Sequence, residues 1–206
     1  MTSISTTSTT STSPTVVLAH GAGAGKDHPW MKRVAQAFES AGMRVVTFNF
    51  PYMDARRHVP DKPAVLEAHF ATVWRDAGAK ATGPMFAAGK SMGGRIASQV
   101  AAKGDLTPAP AGLVFFGYPL HPPGKPQQLR DAHLPDITAP MLFLQGSRDP
   151  FGSPDEMRAL VDRLPGATLS ITDRGDHSLV TSRRPDDRGV DDAVGIAVKW
   201  MRKIAR

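Results

Sequence analysis

The sequence predicts the α/β class, with about six mostly parallel strands in one open sheet and helices on both of its faces. Three observations carry that expectation. From Thr15 onward, short apolar and β-branched runs alternate with longer segments of helical periodicity, which is the order of a strand–helix–strand sheet with right-handed crossovers. The runs are apolar throughout instead of alternating with polar residues, as strands buried on both faces require. The residues able to do chemistry fall directly after the runs, where open parallel sheets bind their ligands.

Taken in order, the first run is TVVLA (15–19), followed by the turn HGAGAGKD (20–27). PWMKRVAQAFESAG (29–42) then reads as a helix with Pro29 at its start, Trp30, Val34, Phe38 and Ala41 on one stripe and Gly42 at its end, both termini carrying the expected punctuation. RVVTFNF (44–50) is the second run, and PAVLEAHFATVWRDAG (63–78) repeats the helical scheme with Leu66, Phe70, Val73, Trp74 and Ala77 inward. PMFAA (84–88) leads into Gly89-Lys90-Ser91-Met92-Gly93, and a helix opens there. GLVFFG (112–117) is followed by one long irregular connection (118–140), too rich in proline for a continuous helix and of a length that is often functional. After MLFLQ (141–145), SPDEMRALVDRLP (153–165) offers Ser153 and Glu156 in capping-box spacing, with Met157, Leu160, Val161 and Leu164 inward. ATLSIT (167–172) is the last run. The final helix, DDAVGIAVKWMRKIAR (191–206), starts with acids and ends with bases, complementing its dipole, and turns Val194, Ala197, Val198, Met201 and Ile204 inward.

Composition bounds the function. With 206 residues, 41% hydrophobic and 21% charged, the chain has the balance of a soluble globular protein, read as one domain over 15–206. The Ser/Thr-rich stretch 1–14 has neither charge nor an apolar run, so a disordered tail is expected and a signal peptide is not. Cysteine is absent, which removes disulfides, thiolate metal sites and a thiol nucleophile and suits the cytoplasm. The net charge of +6 is spread among interleaved acids, so no nucleic-acid partner is expected. No apolar segment is long enough to span a membrane. The acidic run 185–192 reads as a solvated loop and helix start, HExxH is absent, and neither a metal nor a cofactor is implied.

The chemistry centres on Ser91. G-x-S-x-G between a strand and a helix is the pattern of a strained turn that lifts a serine above the sheet, with glycines letting backbones pass beneath it. The Met92 amide, first of the new helix, is then aimed at a developing oxyanion. A phosphate-binding loop is excluded by spacing, since position 84 is Pro84 where glycine is required, and the glycines at 21, 23 and 25 miss the dinucleotide pattern. His20-Gly21-Ala22-Gly23 is similar to the loop of α/β-hydrolases that supplies a second oxyanion amide, here assigned to Ala22, with Gly21 and Gly23 as alternatives.

A serine needs a base, and the base a carboxylate. In this fold the order along the chain is serine, acid, histidine. Asp149 and His177 follow the last two runs and fit that order. Asp173 and Asp176 are the rival acids. Among the seven histidines, His69 reads as a surface or core-edge residue and His20 as a structural one. Gly23, Lys90, Tyr118 and His121 make up the expected substrate-binding set. Lys90 has two readings, an outward lysine with its head in water or, with His121, a polar rim favouring substrates that carry a carboxylate.

Through HGAGAG, FNFPY, GKSMGGR, YPLHPPGKPQQLRD, QGSRD and GDHS, the chain resembles the testis-expressed α/β-hydrolase-like family, related to dienelactone hydrolases, whose hydrolase-like domain also occurs in a subunit of a chromatin acetyltransferase complex. The resemblance runs from about Val16 to the C-terminus. It implies a compact α/β-hydrolase without a large lid and the triad Ser91, Asp149 and His177. The resulting expectation is a serine hydrolase acting on a small to medium acyl ester or thioester, with a non-catalytic binding or scaffold module as the alternative. A homodimer stays open.

Overall fold

The computed structural model describes residues 12–182, 184 and 187–205. The disorder expected for positions 1–11, and residues 185 and 186 of the acidic run, lie outside the described residues. In chain order the elements are β1 (Thr15–Ala19), α1 (Pro29–Ser40), β2 (Arg44–Phe48), α2 (Pro51–Asp54), α3 (Pro63–Gly78), β3 (Met85–Lys90), α4 (Met92–Ala102), β4 (Gly112–Phe116), β5 (Met141–Gly146), α5 (Pro154–Val161), β6 (Ala167–Thr172) and α6 (Gly189–Ile204).

All strand pairs are parallel, in the order β2-β1-β3-β4-β5-β6. The side-chain period of two sends alternate residues of each strand to opposite faces. Val17, Ala87, Phe115 and Phe143 pack with α3, α4 and α5 through Leu66, Phe70, Trp74, Ile96 and Leu160. Val16, Phe86, Val114 and Leu142 pack with α1 and α6 through Val34, Phe38, Val194 and Met201. The central strands β1, β3, β4 and β5 are buried along their whole length. The edge strands β2 and β6 are only partly covered, because each has a neighbour on one side alone. No helix among the described residues is long and apolar enough to cross a membrane.

Several boundaries differ from the sequence reading for local reasons. The second strand stops at Phe48, and Pro51 starts the unforeseen helix α2. β3 runs on to Lys90, so the residue before the serine is still strand. In α1 the buried stripe is Met31, Val34 and Phe38, while Trp30 leans to the strand-end surface, its indole N–H donating to the Ser178 carbonyl at 2.9 Å. The capping box of α5 is present, Ser153 N–H donating to Glu156 at 2.8 Å. The 118–140 connection is no loose flap. It buries Tyr118, Leu120, Leu134 and Ile137 and makes one 3-10 turn at Leu134–Asp136. Pro14 already accepts the Arg44 amide at 2.9 Å, anchoring the chain just before β1.

Candidate active site

From β1 the chain goes one way to β2 and later returns to the other side as β3, so β1 and β3 are neighbours at the point where the winding reverses. A crevice opens beyond the strand ends at such a point. Ser91 stands there, at the end of β3, with φ 51 and ψ −117, a conformation costly for a residue with a side chain and kept where the surroundings enforce it. The enforcement is visible below it. A Cβ on Gly93 would come within 2.6 Å of the Ala19 and His20 carbonyl oxygens, and one on Gly89 would collide with the backbone of Gly93 and Gly94. The Ser91 amide donates to Phe116 O at 3.0 Å, fastening the turn to β4.

His177 reaches the same point from beyond β6. Its Nε2 is 2.8 Å from Ser91 Oγ and its Nδ1 is 2.8 Å from Asp149 Oδ2. The Asp149 carboxylate is fully buried and the His177 ring mostly so. Oδ1 of Asp149 accepts the Phe151 amide at 2.9 Å, and Oδ2 also accepts from Gln145 Nε2 at 2.8 Å. A carboxylate so surrounded by donors is held in one orientation. The rival acids face elsewhere. Asp176 Oδ1 accepts the Ser178 and Val180 amides at 2.7 and 3.0 Å, shaping the loop around His177, and Asp173 is on the surface beside Arg174. Gly117, at φ +65, leaves room for His177, whose carbonyl would lie 2.5 Å from an added Cβ.

The loop after β1 flanks the serine on the other side, a Cβ on Gly21 lying 3.7 Å from Ser91 Cβ. Buried Tyr52 holds this loop, its hydroxyl donating to Ala22 O at 2.9 Å, and burial raises the phenol to about 12. His20 serves the same loop. It accepts the Phe50 amide on Nε2 at 3.0 Å and donates from Nδ1 to Gly21 O at 2.7 Å, a neutral tautomer that burial favours by lowering its pKa. Ala22 and Gly23 are exposed beside Ser91, and Met92 opens α4, where the first amides of a helix have no intrahelical acceptor.

Two clefts meet at Ser91. One, of about 350 Å³, runs past His177, Trp30, Lys90 and Gly23. The other, of about 320 Å³, runs past Met92, Leu66, Arg95 and Arg130. Ala22 and Phe151 border both, and the Phe151 ring lies 4.2 Å from that of His177, tilted by 31°.

Three of the expected substrate-binding residues have other surroundings than the sequence suggested, although Lys90 still borders the first cleft. Lys90 does not carry its head into water. Buried, it donates from Nζ to the His177 carbonyl and lies 5.7 Å from the Trp30 ring centre, because the strand-end position is roofed by α1 and the His177 loop; burial lowers its pKa to about 8. His121 does not join it in a rim. It is buried against Glu156, at 3.3 Å, and Pro122 O, since its loop folds toward α5. Tyr118 is also interior, donating to Arg130 O at 2.8 Å, and supports the connection instead of facing substrate. Tyr52, Gln145 and Phe151 were missed. Only the short spacing of Gln145 and Phe151 around Asp149 could have drawn attention to them, and Tyr52 acts across 30 residues.

A family model described as "Alpha/beta hydrolase domain" matches residues 12–205. The chain belongs to that family. Solved structures bear out the fold. A dienelactone hydrolase from Anabaena variabilis superposes with TM-score 0.74 at 19% identity, over 96% of this chain and 89% of that one. A monoacylglycerol lipase from Paleococcus ferrophilus gives 0.71 at 16%, over 93% and 96%. Est1E from Butyrivibrio proteoclasticus gives 0.69 at 13%, over 93% and 88%. At these identities the likeness of this α/β-hydrolase to its neighbours is one of fold.

Proposed function

We propose that this α/β-hydrolase cleaves a carboxylic ester or thioester of a small to medium acyl group through an acyl-serine intermediate. The observation that carries the reading is the pair of hydrogen bonds that join Ser91 Oγ to His177 Nε2 and His177 Nδ1 to Asp149 Oδ2, both 2.8 Å. Ser91 Oγ attacks the carbonyl carbon while His177 Nε2 takes its proton, and Asp149 stabilises the imidazolium. The Met92 and Ala22 amides receive the oxyanion. On collapse, His177 returns the proton to the departing alkoxide or thiolate. Water then attacks the acyl-enzyme by the same route and frees the acid and Ser91. No cofactor enters the scheme, and a cysteine-free chain suits the reducing cytoplasm. The narrower likeness to the testis-expressed family rests on its sequence motifs.

A fluorophosphonate probe tests the reading. Labelling of the wild type that disappears in Ser91→Ala, together with turnover across para-nitrophenyl esters of graded acyl length, is expected. A folded wild-type protein that is neither labelled nor active on any of them would favour the binding-module alternative.

A further inference from the structure

Two arginines border the cleft along α4, and among the described residues neither side chain has an acidic partner. Arg95 projects from the first turn of α4, one turn after the serine, and Arg130 comes from the 118–140 connection; both border this cleft. The Arg95 Nε is buried without a hydrogen-bond partner among the described residues, and its Nη1 donates to the neutral Gln99 Oε1 at 3.2 Å. Arg130 is held from its backbone, its amide donating to Leu120 O and its carbonyl accepting from Tyr118, both at 2.8 Å. Each nearby carboxylate is paired with another cation, though Asp61, which borders the cleft, only in part. Its Oδ1 accepts from Arg57 at 2.6 Å while its buried Oδ2 has no partner among the described residues, Glu67 binds Lys103, and Asp131 binds Arg163. Burial first, and then Arg130, lowers the Arg95 pKa, which marks the repulsion between the two cations. Like charges held together in a partly desolvated cleft are offset best by an anion between them, and the planar fork of arginine suits a carboxylate.

Which half of the substrate enters this cleft follows from the proton. The leaving group must receive it from His177 Nε2, and His177 borders the other cleft, beside Trp30, but not this one. Met92, assigned to the oxyanion, opens onto the arginine cleft. The acyl chain therefore runs along α4, over Leu66 and Pro63 toward the arginines. We infer that Arg95 and Arg130 form a carboxylate-binding acyl subsite, so that the preferred substrates are monoesters or monothioesters of short dicarboxylic acids. This rests on the hydrolase reading above.

The test compares para-nitrophenyl hydrogen succinate, glutarate and adipate with the butyrate, valerate and hexanoate esters of matched length, and para-acetoxybenzoate supplies a carboxylate on the leaving-group side. In the wild type at least one hemiester should exceed its neutral match in kcat/KM by about tenfold or more, the scale of a charge-assisted hydrogen bond, whereas para-acetoxybenzoate should show no such gain over phenyl acetate. In Arg130→Met and Arg95→Met the ratio should fall toward one. The ratio is the readout, so a general loss of rate does not confuse it, and circular dichroism reports whether each variant folds. Calorimetric binding of free glutarate, expected for the wild type and weakened in Arg130→Met, reads the subsite without turnover. Esters hydrolysed at equal rates with and without the acyl carboxylate, or a preference retained in both variants, would overturn the subsite and leave the hydrolase reading standing. Dicarboxylate binding with no ester turned over would support the subsite and sink the hydrolase reading.

Discussion

At the scale of single residues, the site depends on groups that lock one another. In the proposed mechanism Asp149 fixes the tautomer of His177, and Gln145 and the Phe151 amide hold Asp149 in place. Asp149→Asn would present an amide N–H where the ring also needs to donate, favouring the wrong tautomer. Steady-state kinetics should show kcat falling by about 10⁴-fold with circular dichroism unchanged, and Asp176→Asn should not reproduce the loss. Lys90 makes a different claim. Its pKa is lowered by burial to about 8 from an ordinary value near 10.4, so between those limits the unfolded chain binds more protons than the folded one. Stability contributed through this group therefore rises as pH climbs from about 8 to 10.4, and below 8 the full cost of burying the charge is present. The stability of the wild type relative to Lys90→Met, from urea unfolding, should increase across that window. A flat difference would mean that the amine is not desolvated.

At the scale of elements, the critical junction is the passage from β3 to α4. Gly93 lets the helix begin directly against the carbonyls at the end of β1, with 2.6 Å to an added Cβ. Gly93→Ala must push α4 away from β1, costing about 1–3 kcal/mol by overpacking and moving the Met92 amide away from the proposed oxyanion position. Thermal unfolding should show the loss, and kcat should fall more than KM rises. A variant with native stability and kcat would show that the turn tolerates a looser approach. Much of this junction was legible in advance, because G-x-S-x-G between an apolar run and a helical pattern is a local signal. The start of α2 at Pro51 was not, since four residues carry too little periodicity to be read.

At the scale of the whole molecule, the layer of α1 and α6 is tied to the site through carboxylates. Arg33 binds Asp191 at 2.8 Å and donates to the Asp187 carbonyl at 2.6 Å. The Asp187 carboxylate accepts from the Thr181 amide and hydroxyl, both at 2.8 Å, and from the Gly189 amide at 3.0 Å, closing the path from the His177 loop to α6. Burial alone would raise its pKa, but these bonds outweigh it and depress the group to about 2. A depressed carboxylate stabilises the fold above its unfolded value, near 3.9, and loses that contribution as pH falls toward 2. Acid unfolding followed by tryptophan fluorescence should thus show an advantage of the wild type over Asp187→Asn at pH 5 that shrinks to nothing near pH 2.

What the sequence determined by itself was whatever is encoded locally: the alternation of apolar runs and amphipathic helices, the capping box at Ser153, the strained turn at Ser91, and the order in which serine, acid and histidine follow β3, β5 and β6. These signals live within a few residues, where periodicity and backbone sterics act directly. Tertiary structure alone decided which strands are neighbours, and with that which loops converge. Lys90 was read either as outward or, with His121, as a polar rim, because nothing near it in the chain shows the roof of Trp30 and the His177 loop, and the turn of the His121 loop toward Glu156 is set by packing. Tyr52 holds Ala22 from another element, and Arg95 and Arg130 meet in one cleft from 35 positions apart. Side-chain surroundings of that kind arise from burial against distant parts of the chain, and only the closed sheet with both helical layers in place brings them together.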